Sequence, residues 1–140
     1  MTTLRSDKNR WLSRRIAAPG PYLTLCLSES EYEAAMRQLK CKHYGPWIST
    51  PQASATTHHL NNPDGNLCSV VCLNDYAGRD PVEVAGLLVH EAVHVWQEYC
   101  DWYGEKTPGR EQEAYAVQSI VQELLAEFAR RMQCVSTTGS

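Results

Sequence analysis

Apolar positions return with a helical period along the second half of this chain. From Ala116 through Val117, Ile120, Val121, Leu124 and Leu125 to Phe128 they alternate one and three residues apart, which describes one buried stripe on an amphipathic helix. The spacing predicts a helix over about 110–133. A second helix is predicted over about 80–99. It opens with Asp80, Pro81 and Glu83, an N-cap, a first-turn proline and an acid at the third position. Gly104, Pro108 and Gly109 mark the loop between the two helices. Upstream, the period changes. Residues 22–27 have the composition of a strand, and Ser28 with Glu31 resembles a capping box that starts a helix reaching Lys40. Gly45, Pro46 and Pro51 make residues 43–55 irregular. Residues 56–60 and 67–73 flank Asn61-Asn62-Pro63-Asp64-Gly65-Asn66, a turn between antiparallel strands. The order predicts an α+β fold in a single domain spanning 1–140, with a small antiparallel or mixed sheet packed on two long helices. Residues 1–20 form a basic arm with a short helix near Lys8 to Arg15, and residues 135–140 form a small polar tail expected to fray.

From Val84 to Trp96 the only polar side chains are His90, Glu91 and His94. A helix that apolar is expected to be largely buried, and buried polar groups need partners. The three residues read H-E-x-x-H. Positions four apart on a helix are rotated by roughly 40° and separated by about one turn, so His90 and His94 project side by side and can share one tetrahedral ion. Glu91 lies at the edge of the same face, within reach of a water activated by that ion, as a general base requires.

A hydrolytic zinc site needs a third protein ligand and an open fourth position. Glu113 lies on the extension of the Ala116–Phe128 stripe, whereas Glu111 falls in line with Gln118 and Gln122. Periodicity therefore turns Glu113 toward the core and Glu111 toward solvent. A carboxylate on a buried stripe is costly unless paired, and coordination would pair it. A first-turn carboxylate favoured by the helix dipole is the alternative reading.

With these residues the chain resembles the gluzincins, zinc metallopeptidases whose ligands are the two histidines of H-E-x-x-H and a glutamate from a following helix. His90, Glu91 and His94 match that motif residue by residue. Glu113 matches the third ligand, with eighteen residues between it and His94. The E-x-E-A wording at Glu111 to Ala114 is similar to that of small regulatory peptidases related to phage-repressor-inactivating proteins, and minimal gluzincins of phages and bacteria are similar in size. The likeness covers Asp80 to Phe128. It implies a zincin-like fold, one Zn2+ per chain held by His90, His94 and Glu113, and hydrolysis of peptide bonds by metal-activated water with Glu91 as general base. It also implies a strand edge beside the zinc helix, for which residues 56–73 are the best candidate. The pattern departs in one place: larger thermolysin-like members carry an aspartate four residues after the ligand glutamate to orient a histidine, and here that position is Val117. The partners that orient His90 and His94 must come from elsewhere. No H-x-x-G-x-x-H continuation follows His90-Glu91-Ala92-Val93-His94, which excludes the metzincin type.

Composition narrows the partners. A net charge of -3 gives no electrostatic case for nucleic acid, although Arg5, Lys8, Arg10, Arg14 and Arg15 make the first fifteen residues locally basic. No secretory signal and no stretch of membrane-spanning length is visible, so a cytoplasmic location is expected. The six cysteines are scattered and read as free thiols and core fillers rather than a disulfide framework. Cys68 and Cys72 share a strand face but lie roughly 13 Å apart, too far for one ion.

The oxyanion formed during hydrolysis would need a donor. Tyr115, two residues after Glu113, is the candidate catalytic residue beside Glu91. His58, His59 and Arg110 are further possibilities. His58 and His59 point to opposite faces of their strand, so at most one can face the cleft. The expected function is that of a zinc peptidase acting on a peptide or protein substrate. The alternatives are a zinc-stabilised, non-catalytic binding or regulatory protein, and a nucleic-acid-associated regulator using the basic arm. Intact Glu91 argues against the first, since a purely structural site needs no base.

Overall fold

A computed structural model describes residues 2–3, 9–12, 20–133 and 135–136 of the chain. Its elements are β1 (Thr2–Thr3), β2 (Tyr22–Cys26), α1 (Glu29–Gln38), β3 (Ala55–Asn61), β4 (Leu67–Leu73), α2 (Pro81–Tyr103), α3 (Arg110–Met132) and β5 (Val135–Ser136). Three strands form a mixed sheet in the order β2-β4-β3. β2 runs parallel to β4, with Tyr22 opposite Cys68 and Cys26 opposite Cys72. β3 runs antiparallel to β4, with Ala55 opposite Leu73 and Asn61 opposite Leu67. The class is α+β, as the sequence predicts. The parallel β2–β4 pair is what makes the sheet mixed.

The middle strand, β4, is buried along its whole length. Its run of Leu67-Cys68-Ser69-Val70-Val71-Cys72-Leu73 suits a strand covered on both faces. One face, carrying Leu23, Leu25, Val71 and Leu73, packs on Leu88, Val95 and Trp96 of α2 and on Ile120 and Leu124 of α3. The other, carrying Cys26, Cys68, Val70 and Cys72, packs on Tyr32, Ala35 and Met36 of α1. The five cysteines among the described residues are free, in keeping with their reading as core fillers. The Cys72 thiol is pushed up by its hydrogen bond with Cys26 and by burial.

Local chemistry sets the element ends. Asp80 Oδ1 accepts from Val82 N at 2.7 Å and Pro81 opens α2. This helix passes its expected end at 99 and stops at Gly104, whose φ of 72° and N–H bond to the Asp101 carbonyl close it. Only there does the chain reach a residue suited to the left-handed cap. The Ser28–Glu31 capping box is half built. Ser28 Oγ accepts from Glu31 N at 3.3 Å, but the Glu31 carboxylate turns to Leu27 N at 3.1 Å and to the guanidinium of Arg131. A fully buried arginine makes the stronger claim on that carboxylate.

The helix expected near 8–15 lies largely outside the described residues. Within 9–12, Trp11 bridges Thr24 and Leu12 N donates to the Leu23 carbonyl at 3.0 Å, so this stretch extends beside β2. β5 opens the segment expected to fray and pairs with β1; residues 137–140 lie outside the described set. Among the described residues no helix is long and apolar enough to cross a membrane.

Candidate metal centre

The apolar run of α2 is not buried all round. Val84, Leu88, Ala92, Val95, Trp96 and Tyr99 form one buried stripe, whereas His90 and His94 are exposed. A three-stranded sheet and one partner helix cover only part of the α2 surface, and the histidines fall on the open side. Glu91 goes the other way. It is 5% exposed, directed to the sheet side where β3 passes.

His90 and His94 bring their Nε2 atoms to 3.1 Å from each other. Two nitrogens bound at about 2.0–2.1 Å to one tetrahedral ion would stand about 3.3 Å apart, so the pair is already close to the spacing a shared ion demands. His94 Nδ1 lies 2.9 Å from Gln97 Oε1. The amide oxygen accepts, so the proton sits on Nδ1 and the Nε2 lone pair is left for a ligand. Gln97 thus occupies the place that an orienting partner of His94 would take, which position 117 does not supply. Its signal in the sequence was only its place three residues after His94 on the same helix face.

The ligand-capable atoms of His90, Glu91 and His94 all lie within 4.8 Å of one another. Glu91 Oε2 is buried without a hydrogen-bond partner among the described residues, and so is Thr57 Oγ1 on β3. Burial raises the Glu91 carboxyl above its ordinary range; His90, His94 and the Thr57 hydroxyl act against that rise. Thr57 therefore faces the carboxylate without forming a regularly aligned bond to it. Unsatisfied buried oxygens are rare and call for an explanation. A cation at the two imidazoles, with water beside it, supplies one. The donor set suits zinc, which takes imidazole nitrogen and carboxylate oxygen.

Glu113 stands outside this cluster. It is exposed at the start of α3, and its Oε2 accepts from the indole Nε1 of Trp96 at 2.9 Å. Its side chain thus turns toward α2 but does not join the imidazoles. Trp96, Gln97 and Glu113 line one cleft between the end of α2 and the start of α3. Tyr115 is 65% exposed and joins neither cluster. Of the two adjacent histidines, His58 crosses to the α1 side, where its Nε2 meets the Trp47 carbonyl at 2.9 Å and its ring packs 4.6 Å from Tyr32. His59 faces α2 with Nδ1 at 3.3 Å from Ser69 Oγ. Burial lowers its pKa, Glu98 opposes, and His94 and His58 add to the fall. Arg110 and His43 are exposed.

Comparisons with protein-family models, with curated proteins and with solved structures returned no match.

Proposed function

We propose that this protein is a zinc-dependent peptidase of the gluzincin type, built on a zincin-like fold, with Glu91 as general base. One observation carries the reading: a buried carboxylate oxygen, without a well-aligned hydrogen-bond partner among the described residues, sits beside two imidazoles whose nitrogens are 3.1 Å apart. His90 and His94 would hold the ion, and Glu113 is the carboxylate α3 offers as third ligand once it moves toward the imidazoles. Bound zinc would supply Lewis acidity toward a carbonyl and toward water, at a pKa of about 7.

The remaining chemistry belongs to the chain. Gln97 holds His94 in the tautomer that presents Nε2. Glu91, lifted by burial, takes a proton from the attacking water and delivers it to the leaving amine. β3 is the edge strand of the sheet and packs beside α2, so a substrate in extended form can add to its open edge by main-chain hydrogen bonds. The free thiols suit a reducing compartment such as the cytoplasm.

Wild-type protein and Glu91→Gln should each bind one zinc per chain. Incubated with a mixed peptide library, the wild type should create new chain ends, and the variant should do so about 10²–10⁴-fold more slowly. Equal cleavage by both proteins would remove Glu91 from its role. Zinc uptake without cleavage by either would leave a zinc-stabilised binding protein.

A further inference from the structure

A cleft of about 500 Å3 runs from His90 and Glu91, past Gly86 and Leu87, to Arg79. Three features make it a built recess. First, His90 and Glu91 of the candidate centre both line it, so a group lodged in it would lie close to the reacting bond. Second, Gly86 stands one helical turn before His90 on the same face of α2. A Cβ at that position would meet no neighbouring atom within 4 Å, so packing does not require glycine there. Mid-helix glycine costs roughly 0.5–1 kcal/mol relative to alanine, and what it leaves is open room in the cleft wall. Third, the far end holds a guanidinium fixed in place. Arg79 Nε donates to the Asp75 carbonyl at 3.2 Å, and Nη2 donates to Ser54 Oγ at 3.1 Å.

Arg79 has five N–H donors, and those two bonds leave others unused. Among the described residues the only carboxylate paired with it is that of Glu83, at 3.7 Å from Nη1 and with its side chain 63% exposed. That separation is beyond hydrogen-bond length, and an exposed i,i+4 pair is weak. An incoming carboxylate can displace Glu83 and gain charge-assisted bonds to a guanidinium already oriented by its neighbours. A neutral amide or hydroxyl would gain less, because it brings no charge to the guanidinium.

We propose that this cleft is a substrate subsite for a carboxylate-bearing residue next to the scissile bond, with Arg79 as the anchor and Gly86 as the gap that admits it. The assignment rests on the centre at His90, Glu91 and His94 described above. The carboxylate is either an acidic side chain or the free end of the chain; both present the same group to Arg79.

The test is a nuclear magnetic resonance titration of the whole chain, followed at the Gly86 amide and the Arg79 Nε–H, with and without zinc. Three probes are used: N-acetyl-aspartate α-methylamide for the side-chain acid, N-acetyl-leucine for the terminal acid, and N-acetyl-leucine amide as the neutral control. One or both acids should shift both signals saturably, and the neutral probe should not. Which acid binds tells a preference for acidic residues from a preference for chain ends. Arg79→Gln should weaken the response about tenfold or more. Because Arg79 also ties its loop to Ser54, a second variant is needed. Gly86→Leu should block the probes while the melting temperature is kept or raised. Equal shifts from all three probes, or none from either acid, would overturn the subsite. Acid binding in a protein that takes up no zinc would keep the subsite and reject the centre; zinc uptake without acid preference would do the reverse.

Discussion

The indole N–H of Trp96 donates to Glu113 Oε2 at 2.9 Å, joining the helix that carries His90 and His94 to the first turn of α3. Trp96 is 2% exposed, and a buried indole N–H needs its acceptor. If Glu113 completes the ligand set, its carboxylate must move toward the imidazoles, which it does not reach in this arrangement, and that movement changes the surroundings of the indole whether or not one oxygen keeps the bond. Zinc should then move the Trp96 indole resonance, at one equivalent of metal. Glu113→Gln preserves an acceptor for the indole while removing a charged ligand, and should weaken zinc binding at least tenfold with little loss of stability. Tight zinc binding that leaves the Trp96 resonance in place would assign the third ligand to another residue.

Gln97 offers a separate test of the same centre. It is exposed, so its replacement should alter stability by no more than about 0.5 kcal/mol. Gln97→Leu removes the acceptor of His94 Nδ1 and frees the ring to change tautomer. Zinc affinity should fall about 10–100-fold, as it does when orienting partners of metal ligands are lost. Gln97→Glu keeps an oxygen at that place and should restore binding. Nitrogen chemical shifts of the His94 ring report the tautomer directly; an unchanged tautomer in Gln97→Leu would end the positioning role.

The parts legible in the sequence were those with a local cause. α2 begins at the proline and aspartate that predict its start, and α3 follows the one-and-three recurrence of its apolar residues. The β3–β4 pairing follows from the Asn- and Gly-rich turn that joins the two segments. The proximity of His90, Glu91 and His94 is a property of one helix, so spacing alone could place it. Relations between distant segments were not legible. No pattern in Tyr22–Cys26 signals that it pairs parallel to β4. The apolar run around the motif suggested buried histidines, but how much of a helix is covered depends on the size of the sheet beneath it. Periodicity turned Glu113 toward the core, but at the first turn of α3 the residue is exposed and reaches the Trp96 indole, because the buried stripe begins at Ala116. Arg79 lies in an exposed-looking turn, and only the fold sets it at the end of the cleft from Glu91.

Acid should weaken this fold through Glu127. Its side chain is fully buried and accepts from Arg10 Nε at 2.8 Å and from Arg130 Nε and Nη2 at 2.9 and 2.7 Å. Burial raises its pKa, but the bonds from Arg130 and Arg10 outweigh it, and the net shift is downward. A carboxyl depressed in the folded state binds fewer protons there than when unfolded. Its contribution is therefore complete above the unfolded value of about 4.3 and disappears as pH falls through the lower folded value. The slope from this one group cannot exceed about 1.4 kcal/mol per pH unit. Urea unfolding at pH 7, 5 and 3 should show a steeper acid loss for the wild type than for Glu127→Gln. Parallel curves would show that Glu127 is not a source of acid sensitivity.

The largest stability effect should come from Glu31 and Arg131, which tie the start of α1 to the end of α3. Arg131 is fully buried and Glu31 is 5% exposed; Arg131 Nη1 donates to Oε1 at 2.9 Å and Nη2 donates to Oε2. Removing one member of a buried pair strands the other charge, at a cost of about 3–5 kcal/mol. Arg131→Met should therefore lower stability by about that amount. Glu31 also accepts from Leu27 N, so the matching change is Glu31→Gln, which retains an oxygen for that donor. With both substitutions neither position is left with an unpaired buried charge, and the double variant should be more stable than the sum of the single losses implies, by at least about 1 kcal/mol. A double-mutant cycle in urea measures the difference, and strict additivity would mean that the two side chains do not act as a coupled pair. Because the pair lies on the α1 face and the far end of α3, zinc binding at His90 and His94 should survive in any of these variants that folds.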